Sequence, residues 1–363
     1  MNSYRLRALG TALGFAADAV FADPSRWHPV AGFGVCATAL EKALHPVTDV
    51  RGDTGTRSDT GTRSDTGTRI RGVAFTVVLV GGAVAAAGAA EILTARRPAL
   101  RVAVTAVTVW SCLGGTSLLR VAERHAVLLE RGDVPGSREL LPWLCGRDPG
   151  ALDAGDLARA VVESVAENTS DAAVATLFWA AVAGPAGAAA HRAANTLDAM
   201  VGHRSRRYVD FGWASARLDD VLGWPAARLA AVLTAALAPA VGGRAWDVLS
   251  TWRRDARAHP SPNAGVIEAA CAGALGIQLG GRTPYPYGVE MRPRLGRGPA
   301  PRPDDVRRAI RLLRSTQIAA AAAAVAVQAL VGAAVARVPD RAQVRRRSAR
   351  RWARRCSASS RCP

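Results

Sequence analysis

Long uncharged runs alternate along this chain with short stretches crowded with charge, and that alternation predicts its elements. Gly72 to Ala90, Val102 to Leu119, Ala172 to Ala190 and Ser315 to Ala336 contain no Asp, Glu, Lys or Arg. Each approaches the ~20 residues that a helix needs to cross a bilayer. Leu6 to Ala22, interrupted by Asp18, and Leu222 to Gly243, interrupted by Arg228, are shorter candidates. A surface helix of a soluble domain rarely stays uncharged on every face for that long. The alternative is a soluble, Ala-rich helical protein, because Ala runs seek membranes only weakly. Val, Leu, Phe and Trp at 75–80, 102–110 and 177–179 favour the bilayer, and Gly/Ala-rich faces suit closely packed membrane helices. The fold class predicted is all-α, a multi-pass membrane helical bundle with polar active-site loops and interfacial helices. It forms one domain over residues 1–337, placed in the cell membrane.

Between the first apolar regions lies a hexamer array, Asp53-Thr-Gly-Thr-Arg-Ser, repeated from Asp59 and in part from Asp65 to Arg69. It has no apolar face and a Gly in each unit, so residues 51–69 read as a flexible insertion. Asp18 and Asp23-Pro24 break the first apolar stretch, and no cleavable signal peptide is expected.

Composition narrows the chemistry. Hydrophobic residues make up 49% of the 363, which excludes a disordered chain. The net charge of +18 comes almost wholly from arginine, since Lys42 is the only lysine and sits in Ala-Leu-Glu-Lys-Ala-Leu. A Walker A loop, which needs its Lys, is therefore excluded. Nine arginines and no acids fall between 341 and 363, so 338–363 reads as a disordered, Arg-rich tail. With little aromatic interleaving there, no nucleic-acid partner is expected. The six cysteines are scattered without Cys-x-x-Cys spacing and read as apolar packers and tail residues.

Four polar islands adjoin the apolar runs, and ionisable groups in such places are functional candidates. The first is Asp23-Pro-Ser-Arg-Trp-His28-Pro, a rigid turn that could hold Arg26 and His28 at an interface, or simply be an interfacial turn. The second, Glu163-Ser-Val-Ala-Glu167-Asn168-Thr-Ser-Asp171, places Glu163, Glu167 and Ser170 or Asp171 on one helical face. Stacked acids without a basic partner suit Mg²⁺, which takes one or two carboxylates and completes its shell with water and phosphate oxygens; a capped, solvated helix start is the plainer reading. The third pairs Asn195 with Asp198, then Arg217 with Asp220 beside Asp219, equipment for a metal-bound polyphosphate. The fourth is His259-Pro-Ser261-Pro-Asn263-Ala-Gly265-Val-Ile-Glu268, two prolines leading into a helix that Asn263 could cap. A rigid helix N-terminus of this kind is either an anion site or an ordinary cap.

The strings ESVAENTSD, AANTLDAMVGHRSRRYVDFG, SARLDDV with PAARL, and HPSPNAGVIEAACAGALGIQLGG resemble the cobalamin-biosynthesis membrane enzymes of the adenosylcobinamide-phosphate synthase family (CobD/CbiB), and DPSRWHPVAGFG resembles that family's opening motif. The resemblance runs from about residue 9 to about residue 335. Ala172 after Asp171, the hexamer array and the Arg-rich tail depart from the family pattern. The resemblance implies an amide ligase that uses ATP and Mg²⁺ to join an amino alcohol, usually as its O-phosphate, to a propionate carboxylate of a corrinoid. It also raises the expectation of association with other enzymes of that pathway. On this reading Glu163, Glu167, Asn168, Asp171, Asn195 and Asp198 are catalytic, and Glu163, Glu167, Asp171 and Asp198 are the metal candidates. His28, Arg217, Asp219, Asp220, His259, Ser261, Asn263, Gly265 and Glu268 are candidates for binding substrate or phosphate. A multi-pass transporter of a small anionic solute is the rival class, but its ionisable groups would sit inside the apolar spans rather than at their ends.

Overall fold

The computed structural model describes residues 2–23, 28–45, 65–203 and 205–337. Arg26, array residues 51–64 and the tail 338–363 lie outside the described residues, so the readings placed on them are not addressed. The last array residues are described, and they correct the expected insertion: Thr66 to Arg69 are helical rather than loop. The Asp65 side chain accepts from Gly67 N–H to cap that helix, and Arg69 pairs with Asp210 at 2.8 Å.

The chain is an all-α bundle carrying one small β-hairpin. Helix α1 (Ser3–Phe21) packs against α4 (Pro98–Cys112), and α2 (Pro29–Leu44) and α3 (Thr66–Leu93) lie between them in sequence. Small residues make the α1–α4 approach close: a Cβ on Gly10 would stand 2.5 Å from Thr105 Cβ. At the ends of these helices Glu91 accepts from Arg7 at 2.6 Å and from Arg101 at 2.9 Å, which neutralises a buried acid between α1, α3 and α4.

The run from 102 to 119 is not one helix, as its uniform hydropathy predicts. It is interrupted at Leu113 and Gly114, and α5 (Gly115–Glu130) resumes after them, followed by α6 (Val134–Leu140). Helix α12 (Pro303–Arg337) packs against this point, its Gln317 Oε1 lying 2.5 Å from where a Cβ on Gly115 would stand.

The second island forms the end of α7 (Ala154–Thr169), started by Asp153 accepting from Asp156 N–H. A π-helical turn, Ser170–Val174, joins it directly to α8 (Ala175–Val201), which kinks where Gly184 takes φ 68° ahead of Pro185. Helix α9 (Trp213–Leu237) and α10 (Ala245–Asp255) flank α11 (Ala264–Leu275), in which every residue is buried. Strands β1 (Leu279–Tyr285) and β2 (Gly288–Leu295) form an antiparallel hairpin, and α12 then packs across α1, α5, α7, α8 and α9.

Among the described residues, five helical stretches are long and apolar enough to cross a membrane: Thr66–Leu93, Pro98–Glu130, Ala154–Val201, Trp213–Val241 and Pro303–Arg337. Only 17% of the most apolar window of the first is buried, and Val77, Val78, Ile92 and Leu93 stand exposed on it. Side chains of that kind facing outward fit a hydrocarbon surround.

Candidate active site

A cavity of about 980 Å³ opens where the end of α7, the end of α8 and the hairpin meet. The π turn supplies one wall: by adding a residue to the helical repeat it turns Glu167, Asn168 and Asp171 together toward the opening. Asn195 and Asp198 of α8 complete that wall, and Asp219 of α9 stands behind it, hydrogen-bonded to Asn195. Asp219 Oδ1 is buried without a hydrogen-bond partner. Glu167, Asp198 and Asp219 are near enough to Asp171 to repel its charge. Either a bound cation or uptake of a proton relieves such a concentration of acids.

The opposite wall is cationic and aromatic. Arg147 enters from the loop before α7, and Tyr285, Tyr287, Glu290 and Arg292 come from the hairpin. The two tyrosine rings stack, with centroids 5.1 Å apart and planes 6° apart. The hairpin is tied down along its length: Arg159 donates to Arg282 O at 2.7 Å, Asp148 N–H to Pro284 O at 3.1 Å, and Gly280 N–H to Glu163 Oε1 at 2.6 Å. That last bond depends on glycine. Gly280 holds φ 80° at a bulge in the ladder, and a Cβ there would lie 1.9 Å from Pro293 O.

Residues 11–313 match the family described as CobD/Cbib protein. The chain belongs to the CobD/Cbib family. It is 45% identical over 324 residues to a protein of Mycobacterium tuberculosis named cobalamin biosynthesis protein CobD, covering 89% of this chain and 96% of the relative. A protein of the same name from Chromobacterium violaceum is 39% identical over 333 residues, covering 92% of this chain and 99% of the relative. One from Pelobacter propionicus is 37% identical over 326 residues, covering 88% and 95%. No solved structure matches significantly.

In this CobD/Cbib member the predicted residues divide into those at the cavity and those that are not. Glu167, Asn168, Asp171, Asn195 and Asp198 line it. Glu163 does not. Its Oε1 takes the Gly280 N–H, its Oε2 takes Arg147, and Arg292 stands 3.9 Å from Oε2. Glu163 is the counter-ion of the cationic wall, and both its oxygens are engaged. Burial opposes the charge on Arg147, yet Glu163 holds the guanidinium above its ordinary pKa.

The fourth island is likewise internal, and its helix start is closed by its own chain. Ser261, not Asn263, caps α11: its Oγ accepts from Asn263 N–H at 3.3 Å and Ala264 N–H at 3.1 Å. Asn263 instead accepts from Arg228 at 2.9 Å and donates to Asp220 O at 2.9 Å. Gly265 admits no anion, because its missing side chain is replaced by His259, whose Cβ lies 2.4 Å from where a Cβ would stand. His259, Ser261, Asn263, Gly265 and Glu268 are all absent from the cavity lining. Arg217 is exposed and pairs with Asp220 at 3.7 Å, away from the cavity. His28 Nδ1 accepts from Val30 N–H to cap α2, and its Nε2 faces Asp23 Oδ1 at 3.5 Å.

Among the described residues no group of three or more His, Cys, Asp and Glu is arranged to hold a metal alone. The oxygen donors Glu167, Asp171 and Asp198 nevertheless fit Mg²⁺ in kind, because that ion needs only one or two carboxylates when phosphate and water supply the rest. Sequence reasoning missed Arg147, His203, Ser205, Tyr208 and the hairpin residues. A signal for the hairpin was present: alternating Arg282, Pro284, Glu290 and Arg292 around Pro-Tyr-Gly288 has period two.

Proposed function

We propose that this protein acts in cobalamin biosynthesis as an ATP-dependent amide ligase of the cell membrane. It would join (R)-1-amino-2-propanol, or its O-phosphate, to the propionate carboxylate of adenosylcobyric acid and release adenosylcobinamide or its phosphate. Family membership and relatives named cobalamin biosynthesis protein support the pathway. One observation carries the chemistry: a single cavity in which a carboxylate and amide wall faces Arg147 and Arg292.

A carboxylate does not acylate an amine in neutral water, because oxide is too poor a leaving group. The propionate oxygen attacks the γ-phosphorus, ADP leaves, and the resulting acyl phosphate is attacked by the amine as phosphate departs. The amine attacks as its free base, loses one proton to a carboxylate of the acid wall as the amide forms, and keeps one N–H in the product. Positioning and charge neutralisation carry most of the phosphoryl step. Glu167, Asp171 and Asp198 would hold Mg²⁺, which when bound neutralises the nucleotide phosphates. Asn168 and Asn195 orient the oxygens beside them, and Arg147 and Arg292 face the anionic reactants. Roughly 300–1,000 Å³ suits a drug-sized ligand, so the corrin ring rests at the mouth, near the exposed Tyr287, while its propionate arm enters.

The test is to incubate the purified protein with adenosylcobyric acid, ATP, Mg²⁺ and candidate amines, and to weigh the corrinoid product. A mass gain equal to the amine less one water supports the reading. No ATP-dependent product with any amine refutes it.

A further inference from the structure

The fourth island never reaches the cavity, yet it touches a residue that does. Arg292 projects from β2 into the cavity, and one of its N–H groups donates to His259 Nε2 at 2.9 Å. Arginine is always protonated, so Nε2 must offer its lone pair there and His259 is neutral. Burial and the neighbouring Arg292 both lower His259 below its ordinary pKa, which agrees with that tautomer. Glu268 Oε1 sits 3.8 Å from the same Nε2, 1% exposed and without a hydrogen-bond partner. It lies in fully buried α11, where burial and the charge of Glu163 raise its pKa well above the usual carboxylate range. His259 therefore carries no charge, and burial of Glu268 behind it favours the protonated carboxyl over the carboxylate.

Glu163 offsets the Arg292 charge only in part. Its oxygens are taken by Arg147 and Gly280 N–H, and Arg292 stands 3.9 Å away, too far for a hydrogen bond. Two guanidiniums thus share one carboxylate, and the second keeps most of its five N–H donors unmatched on a cavity wall. Its backbone cannot retreat, since Gly296 N–H just beyond β2 is bound to Asp255 Oδ2 at 2.9 Å and β1 is anchored as described.

We propose that Arg292 binds an oxyanion in this cavity, a carboxylate or phosphate oxygen of a reactant, with His259 as the positioning residue that fixes its guanidinium and Glu268 standing behind the His259 ring. The identity of that oxyanion rests on the ligase reading; the presence of an oxyanion site does not. The His259-to-Glu268 motif then serves the site through Arg292 instead of through its own helix N-terminus.

The experiment is equilibrium binding to the full chain in detergent or nanodiscs. The probes are pyrophosphate, Mg-ATP, aminopropanol O-phosphate, adenosylcobyric acid, and the amide of that acid, which lacks the carboxylate. Arg292→Gln is expected to weaken pyrophosphate and one of the three reactants by about 10-fold or more, since a charge-assisted bond is lost. If the reactant is the corrinoid, its amide should bind parent and variant alike. Arg292→Lys keeps the charge without the fork and should recover part of the loss. His259→Leu should weaken the same ligand, and His259→Gln, whose amide oxygen can accept from Arg292, should restore much of it, a rescue that a merely structural role would not give. Thermal melting of each variant confirms that it is folded; should Arg292→Gln not fold, the His259 pair decides. The inference is overturned if the parent binds these probes and Arg292→Gln binds all of them within twofold. A parent that binds no corrinoid or amine, but whose pyrophosphate binding collapses in Arg292→Gln, removes the ligase reading and keeps the oxyanion site.

Discussion

Glu167 and Asp198 face the cavity with no arginine partner on their own wall, so each can be neutralised without disturbing a fold-holding contact. Glu167→Gln and Asp198→Asn should each lower turnover at least ~10-fold while leaving folding and membrane insertion intact. Product formation and circular dichroism check this, and near-parental activity in both would remove them from the site. Glu163 belongs to a different class despite sharing its helix. Arg147→Met would strand that buried carboxylate, at a cost of about 3–5 kcal/mol, and should show as a large fall in melting temperature. Glu268 gives a pH signature. Burial raises its pKa in the fold well above the unfolded value of about 4.3, so its contribution to stability falls as pH rises past that point. Glu268→Gln removes this penalty, and its stability relative to the parent, read from denaturant or thermal unfolding, should climb between pH 5 and pH 7 by up to about 1.4 kcal/mol per pH unit. A constant difference would mean that Glu268 is ionised. The acid wall was legible because its members lie within a few turns of two consecutive helices, where spacing alone assigns a face. Arg292 was not, because its approach to Glu163 depends on a hairpin returning from far along the chain, and Arg147 was not, because it sits in an irregular loop before α7 where no periodicity assigns a face.

Elements carry the site through their irregularities more than their regular turns. The spans were visible as uncharged runs, but the break at Leu113–Gly114 and the π turn at Ser170–Val174 were not, since neither changes hydropathy. Both sit where other elements touch: Gln317 of α12 packs on Gly115, and Gly114 N–H reaches across to Ala172 O at 3.2 Å. Family resemblance marked the strings, yet it read the fourth as a ligand loop, because a Pro-flanked helix start looks the same whether its N–H groups meet a phosphate or Ser261. The π turn makes a direct prediction. Deleting Ala172 should restore α-helical repeat and rotate the end of α7 relative to α8 by roughly 100°, turning Glu167 and Asn168 away from Asn195 and Asp198. The variant should insert into membranes and bind corrinoid weakly or not at all; full activity would show that the turn does not set the wall.

At the scale of the whole molecule the question is which part of the chain the cavity needs. Its lining ends at Arg292, and the family match ends at residue 313. Helix α12 is nevertheless required beyond both. Buried positions run along it to Gly332, whose carbonyl oxygen accepts from Asn2, and Gln328 donates to Ala180 O at 2.8 Å, bracing α8. A chain ending at residue 320 should therefore lose its hold on α1 and α8 and fail to give a monodisperse, active protein in detergent. A chain ending at Arg337 keeps every one of those contacts and sheds the segment holding nine arginines between 341 and 363. With those contacts kept, that cut should leave turnover within about threefold of the parent. Arginines also flank the last apolar run on its N-terminal side, so removing the tail leaves positive charge there to anchor the helix. Membrane fractionation and the product assay on the two truncations decide the matter. A chain ending at 337 that inserts and stays monodisperse, yet has lost more than about 10-fold in activity, would give the arginine tail a part in substrate delivery, because a loss above about 1.4 kcal/mol exceeds what an uninvolved surface segment contributes.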